Sequence, residues 1–166
     1  MLTDKERNRK REGEIMTLNA ICYRADIDWR RIPQPADQEI ERTLHRARQL
    51  NRLNGVTGAL LLFSDHVLQW IEGEADSIAD TLDCASRDRR LTSLEVLASG
   101  QVASRLFPHC WLYFGDHRHD SGQQEHEFAR LAALSGRRSL EGVGAALAPV
   151  SGVLKSAEFT HTAMLV

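Results

Sequence analysis

The spacing of hydrophobic residues changes along the chain in a way that separates strands from helices. Leu18 to Arg24 alternates loosely, with Ile21 and Tyr23 on one face and Cys22 on the other, and predicts a first strand. Ala25 to Ala36 carries Pro33 and Pro35 and predicts a loop, because proline fixes φ and removes an amide donor. From Asp37, the expected N-cap, the positions Ile40, Leu44, Ala47 and Asn51 recur at spacings of four, three and four. They share one face of a helix that Asn54-Gly55 ends, so Asn51 closes an otherwise apolar stripe.

Thr57 to Phe63 and His66 to Ile71 are strand-like runs joined by Ser64-Asp65, a hairpin. In its second arm Val67, Gln69 and Ile71 share a face by the period of two, so Gln69 is aimed among apolar neighbours. A second helix is expected over Asp76 to Arg87 with Ile78, Leu82 and Ala85 inward, then strands over Leu94 to Ser99 and Leu106 to Phe114. The order βαββαββ is that of an α+β, ferredoxin-like sheet with both helices on one face. Beyond it, Gln123 to Leu134 reads as a helix carrying Phe128, Leu131 and Leu134, and Gly136 to Gly152 is rich in small residues. No internal repeat is visible. The expected division is a charged leader at 1–15, a domain at 16–115 and a C-terminal helical extension at 116–166.

Composition narrows the class. At 166 residues the chain suits one domain able to exclude water from a buried ligand site. Its 42% hydrophobic and 27% charged residues fit a globular protein, and a net charge of -2 argues against nucleic acid as a partner. Apolar runs such as Ala59 to Phe63 fall far short of the roughly 20 residues of a membrane-spanning helix. The first residues are charged rather than secretory in pattern, so a cytoplasmic protein without a membrane partner is expected. Cys22, Cys84 and Cys110 are odd in number and widely spaced, which suggests buried reduced thiols rather than a disulfide framework or zinc site.

With the first helix laid over the sheet, a phenol and two amides, Tyr23, Asn51 and Gln69, converge under an apolar roof. A buried amide left without partners costs on the order of 1–3 kcal/mol. The three groups either satisfy one another and the backbone or meet a ligand edge of carbonyls and ring nitrogens, which two amides suit because each offers donors and an acceptor. Asp116-His117-Arg118-His119-Asp120 has metal-ligand chemistry, but a polar cluster after a strand reads as a solvated loop, and no metal is expected. Trp70, opposite Gln69 in the strand, needs cover; an interface between copies is expected, with the C-terminal segment as the other candidate.

Several stretches resemble the BLUF family of blue-light sensors using FAD: Leu18-Asn19-Ala20-Ile21-Cys22-Tyr23-Arg24, Asn51, Gly55-Val56-Thr57-Gly58-Ala59-Leu60-Leu61, Leu68-Gln69-Trp70-Ile71-Glu72-Gly73 and Arg87-Asp88-Arg89-Arg90. The resemblance spans roughly residues 17 to 115. It implies that an isoalloxazine ring sits between the two helices, that Asn51 holds its pyrimidine edge, that Gln69 lies between Tyr23 and the ring, and that Arg90 meets the cofactor's tail. In the family's mechanism light moves an electron and a proton from the tyrosine and leaves the glutamine's hydrogen bonds rearranged. The implied protein is a photoreceptor without enzymatic activity of its own that signals to a downstream protein or through its own oligomer, and a homo-oligomer is expected.

The chain departs from the family's usual pattern at Ala47, Leu50 and Leu91, where polar residues are common. On the last strand, where the family shows Phe-Pro-x-Trp-x-Met, Phe107-Pro108-His109-Cys110-Trp111-Leu112-Tyr113 allows two alignments. Without an insertion Cys110 stands for Trp and Leu112 for Met; with one, Trp111 matches and Tyr113 stands for Met. Trp111, Leu112 and Cys110 are the candidate output residues, and a shift of one residue decides which faces the ring. The alternative function is a light-independent interaction module that has lost flavin through these changes. A small hydrolase such as an acylphosphatase would need a phosphate cradle after the first strand, which the proline-containing loop does not offer.

Overall fold

The computed structural model describes residues 16–119 and 125–156, the side chains of 125–128 and 153–156 aside. The charged leader at 1–15 and the side chain of Phe128 lie outside the described residues.

Five strands form one sheet: β1 (Leu18–Ile27), β2 (Thr57–Leu62), β3 (His66–Glu74), β4 (Leu91–Gln101) and β5 (Tyr113–Asp116), in the order β4-β1-β3-β2-β5. All neighbours are antiparallel except β2 and β5, which run parallel, so the sheet is mixed. Helix α1 (Ala36–Asn54) crosses from β1 to β2, and α2 (Ala75–Arg87) from β3 to β4. Two further helices follow the sheet, α3 (Glu125–Ala132) and α4 (Leu140–Ser156). No helix among the described residues is long and apolar enough to cross a membrane.

The period of two divides the core between the sheet's faces. Tyr23, Ala25, Leu62 and Val67 face α1 and α2, packed with Ile40, Leu82 and Ala85. Both crossover helices therefore share one face, as the ferredoxin-like pattern requires. The opposite face gathers Cys22, Leu61, Leu68, Trp70 and Phe107, and Leu131, Val143, Leu147 and Val150 of α3 and α4 close over it. Trp70 is thus buried by this chain's own last helix, which brings Gly144 against its ring. The expected interface between copies at Trp70 is corrected accordingly.

The strand pattern required two further corrections. The loop expected from Ala25 is β1 continuing to Ile27, because buried Ala25 keeps the inward alternation; only then does a short 3-10 turn form at Trp29–Arg31. The strand expected over Leu106 to Phe114 shrinks to Tyr113–Asp116. Pro108 has no amide to give, and the amides of Leu106 and Phe107 are taken by the Glu72 carboxylate instead of a neighbouring strand.

Helix ends follow local chemistry. Pro35, not Asp37, occupies the N-cap of α1, in extended conformation and without a side-chain cap. Asp37 and Glu39 sit in the first turn, where the helix dipole favours negative charge. Gly55 takes the left-handed conformation at φ 65° that ends α1, and Val56 N bonds back to Asn51 O at 2.9 Å. Gly58 is fixed by proximity: a Cβ there would stand 2.0 Å from the Trp70 carbonyl oxygen.

Candidate functional site

The inward faces of β1 and β3 form the floor of the site. Tyr23 and Gln69 are direct partners in the antiparallel register, and the Tyr23 hydroxyl donates to Gln69 Oε1. Both side chains are buried. Burial raises the Tyr23 phenol above its ordinary pKa, with the Asp88 charge and Cys22 adding in the same direction, so the phenol keeps its proton.

Above this floor lies a cavity of about 320 Å³ between the sheet and the two crossover helices. Leu44, Ala47 and Leu50 of α1, Leu60 and Leu62 of β2 and Ala85 of α2 give it apolar walls. Asn51 is buried on α1 one turn beyond Ala47, and its Nδ2 donates to the Trp111 carbonyl at 2.7 Å. Gln69 and Asn51 each therefore have one amide end anchored by protein and another lining the cavity. Among the described residues nothing accepts from Gln69 Nε2 or donates to Asn51 Oδ1.

Arg90 lines the cavity from the turn just before β4, half-buried and heavily engaged. Its Nε and Nη2 grip both oxygens of Asp88 at 2.9 and 2.7 Å, and Nη1 donates to Glu39 Oε1 at 3.1 Å and Thr43 Oγ1 at 2.8 Å. Burial pushes the Asp88 carboxyl up, but hydrogen bonds from the Arg90 side chain and backbone outweigh this and hold it below its usual range. Glu39, Thr43 and Asp88 were not expected in the site from sequence. The one available signal was the spacing of four between Glu39 and Thr43, which places both on the α1 face turned toward Arg90.

Leu112 and Phe114 line the cavity, while Tyr113 packs against the core of the opposite face. Of the two last-strand candidates, Leu112 and Tyr113, it is Leu112 that faces the cavity. Trp111 is half-buried, and the hydrogen bond it offers the site comes from its carbonyl; the Leu112 carbonyl accepts from Arg48 Nε at 3.0 Å. Cys110 is buried, which pushes its thiol up, and its carbonyl accepts from Gly58 N at 3.2 Å. Of the expected residues, Tyr23, Asn51, Gln69, Arg90 and Leu112 line one cavity, and Cys110 and Trp111 do not. In the polar loop after β5, Arg118 holds Asp116 at 2.6 Å and Asp37 at 2.8 Å. No group of three metal-ligating side chains forms among the described residues.

A mixed five-stranded sheet with two helices on one face thus encloses a cavity over a tyrosine–glutamine pair. Residues 18–112, more than half of the chain, match the family described as BLUF, sensors of blue-light using FAD, and the chain belongs to that family. No curated protein sequence matches it. Among solved structures it resembles "BlrB - a BLUF protein, dark state structure", with 20% identity, a TM-score of 0.66, and coverage of 82% of this chain and 98% of that one. A bacterial light-regulated adenylyl cyclase matches at 18% identity and TM-score 0.60, over 89% of this chain and 40% of the cyclase. Klebsiella pneumoniae BlrP1 with FMN and cyclic diGMP matches at 23% identity and TM-score 0.56, over 68% of this chain and 30% of that one. At these identities the likeness is one of fold, and the chain spans less than half of the last two.

Proposed function

We propose that the chain is a blue-light photoreceptor whose cavity binds a flavin, FAD by the family's chemistry, and whose output is a rearranged hydrogen bond between Tyr23 and Gln69. The observation that carries this reading is the Tyr23 hydroxyl donating to Gln69 Oε1 at the floor of a cavity that the other end of the same amide lines.

The residues present fit a flavin. About 320 Å³ lies at the lower end of the range for small-molecule sites, roughly 300–1,000 Å³, and apolar walls with a few polar groups are the usual lining. Two free amide ends, a donor on Gln69 and an acceptor on Asn51, complement a ring edge of carbonyls and nitrogens. Asn51 and Gln69 would hold the ring, and Arg90, with one N–H not yet engaged, would meet the tail. When bound, the flavin supplies absorption of blue light and a site that accepts an electron.

The chain supplies the switch. Tyr23 holds its proton on the atom that donates to Gln69. Turning the Gln69 amide about its last bond exchanges donor for acceptor at both ends and leaves β3 in place. The two arrangements form a two-state element that any differential contact can bias. Asn51 bonds Trp111 and Arg48 bonds Leu112, so the 111–112 backbone is tied to α1 beside the same amides. In this reading the chain is a cytoplasmic sensor without catalysis of its own that hands its state to a partner protein. An oligomer would use a surface other than the Trp70 face, which α4 covers.

The test is Gln69→Leu in the full chain loaded with FAD. Flavin should stay bound while the reversible red shift of its absorbance in blue light disappears. A normal shift in that variant would remove Gln69 from the mechanism.

A further inference from the structure

On the sheet face turned away from the cavity, Glu72 is fully buried and accepts four hydrogen bonds. One oxygen takes Thr57 Oγ1 at 3.1 Å and Phe107 N at 2.6 Å; the other takes Trp70 Nε1 at 2.9 Å and Leu106 N at 2.8 Å. Every neighbour donates, which suits a carboxylate, the side chain that only accepts. Burying such a group is costly unless its acceptors are filled, and the Tyr23–Gln69–Asn51 site makes no direct use of it.

The donors come from β2, from β3 itself and from the segment between β4 and β5. Arg105 adds a second tie there, donating to Gly55 O at 2.8 Å and to Glu72 O at 2.9 Å. On its far side the Leu106 carbonyl accepts from Ser151 Oγ of α4 at 2.6 Å. The same segment runs on to the Trp111 carbonyl that holds Asn51 and to Leu112 at the cavity wall. One buried carboxylate therefore fastens β3, three residues from Gln69, to the Leu106 and Phe107 amides, and the Leu106 carbonyl in turn holds the last helix.

We propose that Glu72 is a positioning residue that couples Gln69 to residues 105–112 and, through the Leu106 peptide, to α4 at Ser151. The inference rests on Gln69 being the residue that switches, but the coupling belongs to the fold and operates in darkness too. A displacement of β3 carries the carboxylate with it, and the Leu106 and Phe107 amides must follow or lose their acceptor. Leu106 in turn moves the acceptor of Ser151.

Amide hydrogen exchange of the full chain with FAD, kept dark, tests this. Gln69→Leu should change exchange in residues 105–112 and around Ser151 by about three- to ten-fold, the factor that one hydrogen bond of ordinary strength gives. In a Glu72→Gln background the same change should move neither segment. In a Ser151→Ala background the response in 105–112 should persist and that in α4 should vanish. Ser151→Ala removes a single hydroxyl and tests the link to α4. Where Glu72→Gln fails to fold, Glu72→Asp, which keeps the charge and shortens its reach to the Leu106 and Phe107 amides, should reduce the response in 105–112. An undiminished response there would overturn the role of Glu72. An α4 response that survives Ser151→Ala, or a Gln69→Leu variant without response in either segment, would overturn the coupling. A normal red shift alongside uncoupled segments would sink Glu72 and leave the photoreceptor standing. Coupled segments alongside a parent chain, with Gln69 in place, that shows no red shift would do the reverse.

Discussion

Tyr23 and Gln69 meet because β1 and β3 pair antiparallel with the two residues directly opposed, and cross-strand partners on one face lie within reach of each other. The same burial that isolates the pair sets its pH behaviour. Burial pushes the neighbouring Cys22 thiol from 9.0 up to about 12, and Tyr23 is raised for the same reason. A group whose pKa is raised by folding contributes its full stability below the unfolded pKa and loses it as pH climbs through the folded value. The urea midpoint should therefore fall as pH rises from about 9 toward about 12, and Cys22→Ala should flatten the first part of that fall. A midpoint independent of pH in this window would contradict the burial of both groups. Gly58 is a second residue-scale constraint: Gly58→Ala brings a methyl 2.0 Å from a backbone oxygen that cannot retreat without parting β2 from β3. A loss of about 2–3 kcal/mol in equilibrium unfolding is expected, the upper part of the range for overpacked sites.

Among the elements, α1 carries most of the site, since Leu44, Ala47, Leu50 and Asn51 form one wall and Glu39 and Thr43 reach Arg90. Arg90→Ala should release Glu39, Thr43 and Asp88 together. The expected loss is about 1–2 kcal/mol after allowing for solvent screening of a partly exposed group, with faster flavin release in stopped-flow dilution. An unchanged release rate would remove Arg90 from the cofactor's path. The apolar stripe of α1 and the alternation of β3 were readable in sequence because each obeys one period over a long run. The elements that resisted were those where a distant group decides. Leu106 and Phe107 look like strand residues until the Glu72 carboxylate, more than thirty positions earlier, claims their amides. Helix α4 was obscured by Gly142, Gly144, Pro149 and Gly152, poor helix formers by propensity. Gly144 nonetheless suits its place, packed close to the Trp70 ring.

For the molecule as a whole, the sheet is covered on both faces, one by the cavity helices and the other by α3 and α4. A chain ending at residue 139 would lose Val143, Leu147 and Val150, all buried against the Trp70 face. At roughly 1.5–3 kcal/mol for each such side chain, the loss rivals the stability of a whole domain, about 5–15 kcal/mol. The truncated protein should melt far lower and associate on size exclusion; a monomer with the parent's melting temperature would show the cap to be dispensable. The site was legible at this scale too, because a phenol and two amides on separate apolar faces had to converge, whereas the ring of acceptors around Arg90 depends on how α1 lies against β4. Everything proposed for the chain's activity depends on light altering the Tyr23–Gln69 hydrogen bond beside a bound flavin. The most direct measurement is the absorption spectrum of the full chain with FAD before, during and after blue light: a red-shifted band that relaxes in darkness is predicted, and a flavin-loaded protein whose spectrum stays fixed would contradict it.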